Sequence, residues 1–341
     1  MTQLNSNYRV VDPVLTEIIH GYAQGSSIAP FLSRVVPVQA RAGKIVQFTK
    51  EAFAVTDTRR APGQNINRIG ANYTNDSYFL TQHAIGAEVT IEEYEEAING
   101  EAKLNLRTMA SNRAMSSIMQ SWEQEVIDIA TNGSLYEPGL DITTAAADQF
   151  SDPGSDPEVY LDGIKEQIRA QVGTYPTRMV IDAFTYRQLK RHPIFRDRVK
   201  YTSRESVNLA NIAAWFDLPG GIVVSQKVKL ADDGTLVDFM PKGTGILFYD
   251  SRDNGKATGE TNGGQISEGS FLPDENADKS EPSAFYTYQL QGYPIAAEER
   301  FDDDRRVYVT DVVAEQRMVP VGLGATGKIG AAALISNLVA A

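Results

Sequence analysis

The sequence predicts an α+β protein of two domains, with an N-terminal arm and a long projecting loop. Three stretches carry that expectation. A polar, basic segment, Thr56-Asp-Thr-Arg-Arg-Ala-Pro-Gly-Gln-Asn-Ile-Asn-Arg-Ile69, separates a β-like run ending near Phe53 from another starting near Tyr73. A helical pattern of unusual length then runs from about Glu101 to Thr131. A block of alternating apolar residues, Phe285 to Val321, reads as long strands near the C-terminus.

Bulk composition narrows the function classes. With 341 residues and 42% hydrophobic content the chain can build more than one core. It contains no cysteine, which excludes disulfides, thiolate metal sites and cysteine nucleophiles. A formal charge of −12 argues against a broad grip on nucleic acid, because phosphate binding needs clustered Lys and Arg. The N-terminal residues lack a basic stretch followed by an apolar one, so no signal peptide is expected. No apolar run reaches the length of about 18 residues that a membrane span needs. The apolar Ile329–Ala341 tail is short, made of small residues, and expected to pack on protein. The chain is expected to fold in a cytoplasm.

Residues 1–40 read as an arm. Asp12-Pro13 can start a short helix through Ile18 and Ile19, which Gly21, Gly25 and Pro30 break up. A second apolar turn, Ile28 to Val36, ends at Pro37. Lys44-Ile-Val-Gln-Phe48 alternates as a strand does, and Tyr73 to Val89 is the returning side. Together they predict a two-stranded flap with Arg59 to Arg68 at its tip. An isolated hairpin is marginal in water, so this one is expected to order against a neighbouring subunit. Thr90 and Glu93 form a capping-box pattern. In the long helix Met115, Ile118, Met119, Trp122, Val126, Ile129 and Ala130 recur at spacings of three and four, giving one apolar face. At 1.5 Å per residue the helix is expected to be roughly 45 Å long, a beam rather than an ordinary three-turn helix. Asn132-Gly133 stops it.

Asp148 to Asp156, carrying Pro153-Gly154, marks a domain boundary. Asp156-Pro157 then opens an amphipathic helix through Leu161, Ile164, Ile168 and Val172. Met179-Val-Ile181 is a short buried strand, and Asp182 caps a helix that runs through Leu189 and ends before Pro193. Ser203 starts a helix through Trp215-Phe216. Strands follow at Ile222–Val228, Leu236–Phe239 and Ile246–Tyr249, with Asp232-Asp-Gly234 as a hairpin turn. Residues 250–283 form a long polar loop, a length more often functional than idle. Beyond it Tyr286, Tyr288 and Leu290 alternate, as do Val307 and Val309, with the charged stretch Glu298–Arg306 between them.

Reactive chemistry is hard to find. There is no HExxH, no G-x-S-x-G and no P-loop. Gly322-Leu-Gly-Ala-Thr-Gly327 fits the dinucleotide fingerprint, but too little chain follows for the helix, strand and acidic residue the motif needs. Asp250-Ser-Arg-Asp-Asn-Gly255 is faintly calcium-loop-like, with Arg252 and Thr261 where oxygen ligands belong, and reads as a polar surface turn. His20, His83 and His192 are far apart. Glu92-Glu93 and Glu95-Glu96 read as the solvated face of a helix. No catalytic residue, cofactor or metal ligand is expected. Arg59, Arg60 and Arg68 are either a solvated loop or forks that meet carboxylates on an adjacent subunit. Asp302, Asp303 and Asp304 are the most concentrated acidic partner available.

The order of these parts resembles the major capsid proteins of tailed bacteriophages, a fold shared with encapsulin nanocompartments and the herpesvirus capsid floor. Its markers are Arg60-Ala-Pro-Gly63 in the flap, Tyr78 to Ala87 leading back, Glu92-Glu93 before the long helix, and Asp182 to Pro193. The resemblance implies an N-terminal arm at 1–40 and an extended loop at 41–88. It implies a peripheral domain from 89–150 and 285–341, containing the spine helix at about 101–131. An axial domain would span 151–284, with its polar loop at 250–283. It further implies a structural protein, not an enzyme, that self-assembles into hexamers and pentamers of an icosahedral phage head. That head would enclose double-stranded DNA without sequence-specific binding and without a membrane, and would be assembled in the bacterial host cytoplasm. A separate scaffolding protein or none is implied, with a portal and a decoration protein as further partners and no large N-terminal cleavage. The lysine–asparagine crosslink of some members is not expected, since Lys44 and Lys50 lie at the base of the flap and its tip carries arginine. An encapsulin-like shell and a cytoplasmic α/β enzyme are the alternatives.

Overall fold

The computed structural model describes residues 27–48, 59, 73–99, 105–200, 207–231, 233–253, 283–293, 295–296, 300–322 and 327–340. The expected helix at 12–19, the flap tip apart from Arg59, and most of the 250–283 loop lie outside the described residues.

The described chain opens with a single helical turn, α1 (Ala29–Leu32), that begins with Pro30 in its first turn. Strand β1 (Arg34–Val38) follows, then β2 (Ala42–Phe48) and β3 (Tyr73–Phe79), which pair antiparallel along their full length. Strand β4 (Thr81–Thr90) leads into helix α2 (Ile91–Asn99). The capping box at this junction forms as expected: Glu93 N–H donates to Thr90 Oγ1 at 3.2 Å, and Thr90 Oγ1 donates to Glu93 Oε2 at 2.9 Å. The long helix is α3 (Leu106–Ala130), capped by the Asn105 side chain, which accepts from Thr108 N–H. At 25 residues it is roughly 37 Å long, a little shorter than the sequence pattern suggests.

The middle of the chain supplies β5 (Asp141–Thr143), α4 (Pro157–Val172), β6 (Arg178–Asp182), α5 (Ala183–Arg191), α6 (Pro193–Lys200), α7 (Leu209–Trp215) and β7 (Gly221–Ser225). Asp156 and Asp182 cap α4 and α5 through the backbone N–H groups of the first turn, as their sequence context predicts. The Asp182-capped helix ends before Pro193 as expected, and Pro193 in addition opens α6, because a proline is well suited to the first helical position. The helix through Trp215 starts at Leu209 with Asn208 as its cap, while the expected start at Ser203 lies outside the described residues. Strands β8 (Val228–Leu230) and β9 (Leu236–Asp238) form the expected hairpin, with Gly234 at φ 81° in its turn. Strand β10 (Gly245–Phe248) precedes the polar loop, and β11 (Phe285–Leu290), β12 (Ile295–Ala296), β13 (Arg300–Asp302), β14 (Val307–Pro320) and β15 (Ala332–Ser336) follow it.

Two large sheets result among the described residues. In the first, β14 is paired along one edge by β4, residues 307–316 against 90–81. Its other edge is taken in turn by β13, β12 and β11, all antiparallel. Strand β1 adds parallel to β11, so part of the expected arm is a sheet strand. The second sheet has the order β5-β15-β10-β6-β7. Its central strands are buried on both faces, which explains the near-continuous apolar runs Met179-Val-Ile181 and Ile246-Leu-Phe248. The C-terminal tail packs on protein as expected, but β15 joins this second sheet rather than the first. The same sheet takes β5, so two pieces of chain expected beside the spine helix pair with the other unit.

One apolar core runs through both sheets. Met115, Ile118, Met119, Trp122 and Val126 of α3 lie in it with Val312, Ala314 and Met318 of β14 and with Ile246 and Phe248 of β10. Polar pins cross the same core. Glu123 is fully buried and accepts from Ser27 Oγ (3.0 Å), Ile28 N–H (2.9 Å) and Lys227 Nζ (2.5 Å). Trp122 Nε1 donates to Thr287 Oγ1 at 3.3 Å, tying α3 to β11.

The expected polar surface turn at Asp250 is also corrected. Asp250 and Asp253 are buried, and the Arg178 guanidinium pairs with both while lying 4.7 Å from the Phe31 ring centroid. Gly220 leaves room for this cluster; a Cβ there would collide with Asp253 Oδ2. Burial alone would push the Asp250 carboxyl up, but the Arg252 and Arg178 guanidiniums outweigh it and hold it below the ordinary carboxylate range. Its contribution to stability is therefore present above a pH of about 4 and lost as pH falls through the lowered folded value. Arg178→Met removes the guanidinium that pairs with both buried carboxylates, leaving Asp250 to Arg252, and is expected to cost about 3–5 kcal/mol. Acid unfolding should begin at a higher pH in the variant. Thermal melts across an acid series check both.

The flap stem is fastened to the first sheet by a small second core. Tyr78 of β3 stacks on Tyr288 of β11 with centroids 4.6 Å apart, flanked by Val36, Val38 and Tyr286. Arg41 forms a two-pronged ion pair with the buried Glu315, both contacts at 2.7 Å, and Gln82 adds a third bond to the same carboxylate. Tyr78→Ala is expected to release the stem locally at about 3–5 kcal/mol. Hydrogen exchange should then show β2 and β3 losing protection while α3 keeps it.

Candidate inter-subunit surfaces

Each anchor at the root of the flap uses groups of the same subunit, so the stem leaves the sheet in a defined direction. Arg59, the described member of the arginine cluster, is exposed. Arg60 and Arg68 lie outside the described residues. Phe79, at the end of β3, is also largely exposed.

The three aspartates sit together in the turn between β13 and β14. Asp302 is committed to that turn: its Oδ1 accepts from Asp304 N–H at 3.1 Å and Arg305 N–H at 3.2 Å. Asp303 and Asp304 are exposed. The turn is lashed to β4 by Arg305, which grips Glu88 with two bonds of 2.8 and 2.7 Å, and to α2 by Arg306, 3.5 Å from Glu92. Glu88 and its hydrogen bonds raise the Arg305 pKa still further above its ordinary value. Arg306 takes a left-handed backbone, φ 53°, and its carbonyl accepts from Ile91 N–H. The flap return, the charged turn and the start of α2 thus form one connected unit.

Two apolar surfaces escaped the sequence reading. One is a groove of about 740 Å³ between β4 and the first half of α3, with an apolar wall of Ile85, Val89, Leu106, Met109 and Ala110 and a charged rim of Glu88, Glu93 and Arg113, and with Met109 54% exposed. The other is the outer face of the β8–β9 hairpin, where the cross-strand pair Leu230 and Leu236 is 69% exposed on both sides. The alternation Val228, Leu230, Leu236 signals a strand face, but not whether that face is covered. Lys227 and Lys229 moor the hairpin to Glu123 and Gln124 of α3.

The acidic pairs Glu92-Glu93 and Glu95-Glu96 are all exposed, as expected of a solvated helix face. His192 is buried with Nε2 3.1 Å from the Asp152 carbonyl, a bond between the C-terminal end of α5 and the loop before α4. Among the described residues no group of three His, Asp or Glu side chains is placed to hold a metal ion. Among the same residues no helix is long and apolar enough to cross a membrane.

No protein-family model matches the chain. It is 28% identical over 301 residues to the major capsid protein of Burkholderia phage BcepMu, covering 88% of this chain and 90% of that one. Its fold superimposes on the crystal structure of a phage-related protein from Bordetella bronchiseptica RB50 with a TM-score of 0.73 at 25% identity, over 97% and 98% of the two chains. The capsid of Cyanophage P-SCSP1u gives a TM-score of 0.52 at 12% identity, over 89% and 86% of the two chains, a likeness of fold. The expected order of flap, long helix and α/β unit and these end-to-end similarities agree: the chain has the major capsid protein fold of tailed bacteriophages and resembles their capsid subunits in sequence.

Proposed function

We propose that this protein is a phage major capsid protein, a structural subunit and not an enzyme, whose copies assemble into a closed shell. The observation that supports this most is the length of the match. Similarity to a phage major capsid protein runs over 88% of this chain and 90% of that one. The geometry agrees with such a role. The flap stem, the charged turn and the apolar groove are fixed at their roots by contacts inside the subunit and expose their outer surfaces.

On this reading the same chain forms hexamers and pentamers of an icosahedral head around double-stranded DNA, assembled in the host cytoplasm. A scaffolding protein, a portal and a decoration protein are its further partners. The arm at 1–40, extended loop at 41–88, peripheral domain and axial domain are the parts of that subunit. The Arg59, Arg60 and Arg68 forks meet Asp303 and Asp304 of an adjacent subunit. Asp302 contributes mainly by shaping its turn.

Purified chain imaged by negative-stain electron microscopy should give closed shells or rings of five and six. Particles that stay monomeric at every concentration and salt tested, with and without a co-expressed phage scaffolding protein, would overturn the proposal. Deleting Thr56–Ile69 should leave folded, soluble subunits that cannot build stable shells. Reversing Arg59 and Arg60 to glutamate should lower the denaturant concentration at which shells fall apart, and reversing Asp303 and Asp304 to lysine in the same chain should restore it. DNA rather than a cargo enzyme inside native particles separates a phage head from an encapsulin-like compartment.

A further inference from the structure

Two short helices carry charge of one sign each. Helix α5 has Arg187, Lys190 and Arg191 and no acid. Helix α2 has Glu92, Glu93, Glu95 and Glu96 and no base. The spacing within them is the same. Arg187, Lys190 and Arg191 stand at i, i+3 and i+4, as do Glu92, Glu95 and Glu96. Residues so spaced share one face of a helix, with neighbouring Cβ atoms about 5–6 Å apart.

Both triads face outward, and all six side chains belong to exposed residues. Each helix is held by its other side. Tyr94 packs edge-on against Tyr308 in the first sheet, and Thr185 and Leu189 are fully buried. Arg187, Lys190, Arg191, Glu95 and Glu96 make no ion pair within the subunit among the described residues, while Glu92 is 3.5 Å from an exposed Arg306. The helix dipole accounts for acids in the first turn of α2 and bases in the last turn of α5. It does not account for Arg187, Glu95 or Glu96, which lie away from those ends.

The subunit as a whole carries −12, so copies repel one another unless positive charge is placed where they touch. We propose that α5 of one subunit docks on α2 of an adjacent copy, with Arg187, Lys190 and Arg191 meeting Glu92, Glu95 and Glu96. The proposal rests on the shell-subunit reading and adds the surfaces that join neighbours. Two different patches make a heterologous, head-to-tail contact, which closes into a ring when the rotation per subunit allows. Nucleic-acid phosphate is the rival occupant of α5. The matched spacing favours carboxylates, because a phosphate backbone asks for positive charge but not for this arrangement of it.

The test compares shell assembly of the unmodified chain, K190E/R191E, E95K/E96K and the chain carrying all four changes. Circular dichroism confirms that each is folded. Either double reversal should cut shell yield about tenfold or more, and the fourfold variant should recover it. The chain has no cysteine, so single thiols can be placed cleanly. Subunits carrying Glu95→Cys, assembled together with subunits carrying Lys190→Cys, should be joined into dimers by a short bismaleimide. Unmodified shells alongside double reversals that assemble equally well would overturn this contact and leave the shell reading intact. So would double reversals that stay unrescued, with no crosslinked dimer. A K190E/R191E variant that assembles normally but no longer retains random-sequence duplex DNA would reassign α5 to phosphate. Unmodified chain that yields no multimer with or without a co-expressed phage scaffolding protein would remove the shell reading, and this contact with it.

Discussion

Strand β14 needs a partner on both edges. It runs for 14 residues, Val307–Pro320, most of them buried. A buried backbone N–H or C=O left unpaired costs about as much as a lost hydrogen bond. Strand β4 satisfies one edge, and β13, β12 and β11 satisfy the other. The projecting parts of the subunit follow from that pairing. Strand β4 continues back into β3 and the flap. Strand β11 carries β1, and so joins the N-terminal segment to the sheet. The β13–β14 turn ends beside α2, where Arg305 and Arg306 reach Glu88 and Glu92.

Buried charge then selects one arrangement of these parts. Apolar contacts between α3 and the sheets supply the attraction, but they are tolerant of small shifts. The Glu123 carboxylate is not, since Ser27, Ile28 and Lys227 must all reach it from different segments. Arg178 does the same for Phe31, Asp250 and Asp253. Such pairs are weak sources of net stability compared with well-packed apolar groups, yet removing one partner is costly. Their effect here is to hold the N-terminal segment, the long helix, the β8–β9 hairpin and the root of the polar loop in one register. On the proposed reading, in which these surfaces meet neighbouring copies, that register sets where the surfaces point.

Local features were readable in the residues themselves. Thr90 with Glu93, Asp156 with Pro157, and Asp182 each announce a helix start, because the hydrogen bonds that cap a helix are made within three residues. The apolar spacing from Met115 to Ala130 marked the buried face of α3, and the alternation from Lys44 to Phe48 marked strand β2. Among the interface candidates, the solvated carboxylates of α2 and the exposed turn at Asp303 and Asp304 were also legible. Asp250 and Asp253 were not: a polar run beside a glycine reads as surface, and the guanidinium that buries it comes from Arg178, far away in sequence. The exposed Leu230–Leu236 pair was hidden for the opposite reason. Alternation shows that a strand has an apolar face, not what lies against it.

By itself the sequence determined the kinds of element, most of their ends, the absence of thiol chemistry and the order of parts that matches a capsid subunit. Those properties depend on residues close together along the chain. Tertiary structure alone decided that β1 lies parallel to β11, that β5 and β15 enter the second sheet, and which charged groups are buried as pairs. Strand pairing is long-range, and an apolar run such as Ala331–Ile335 suits any buried sheet position equally well. The choice among those positions belongs to the partners already in place: β10 offered one edge to β15, and β15 in turn offered one to β5.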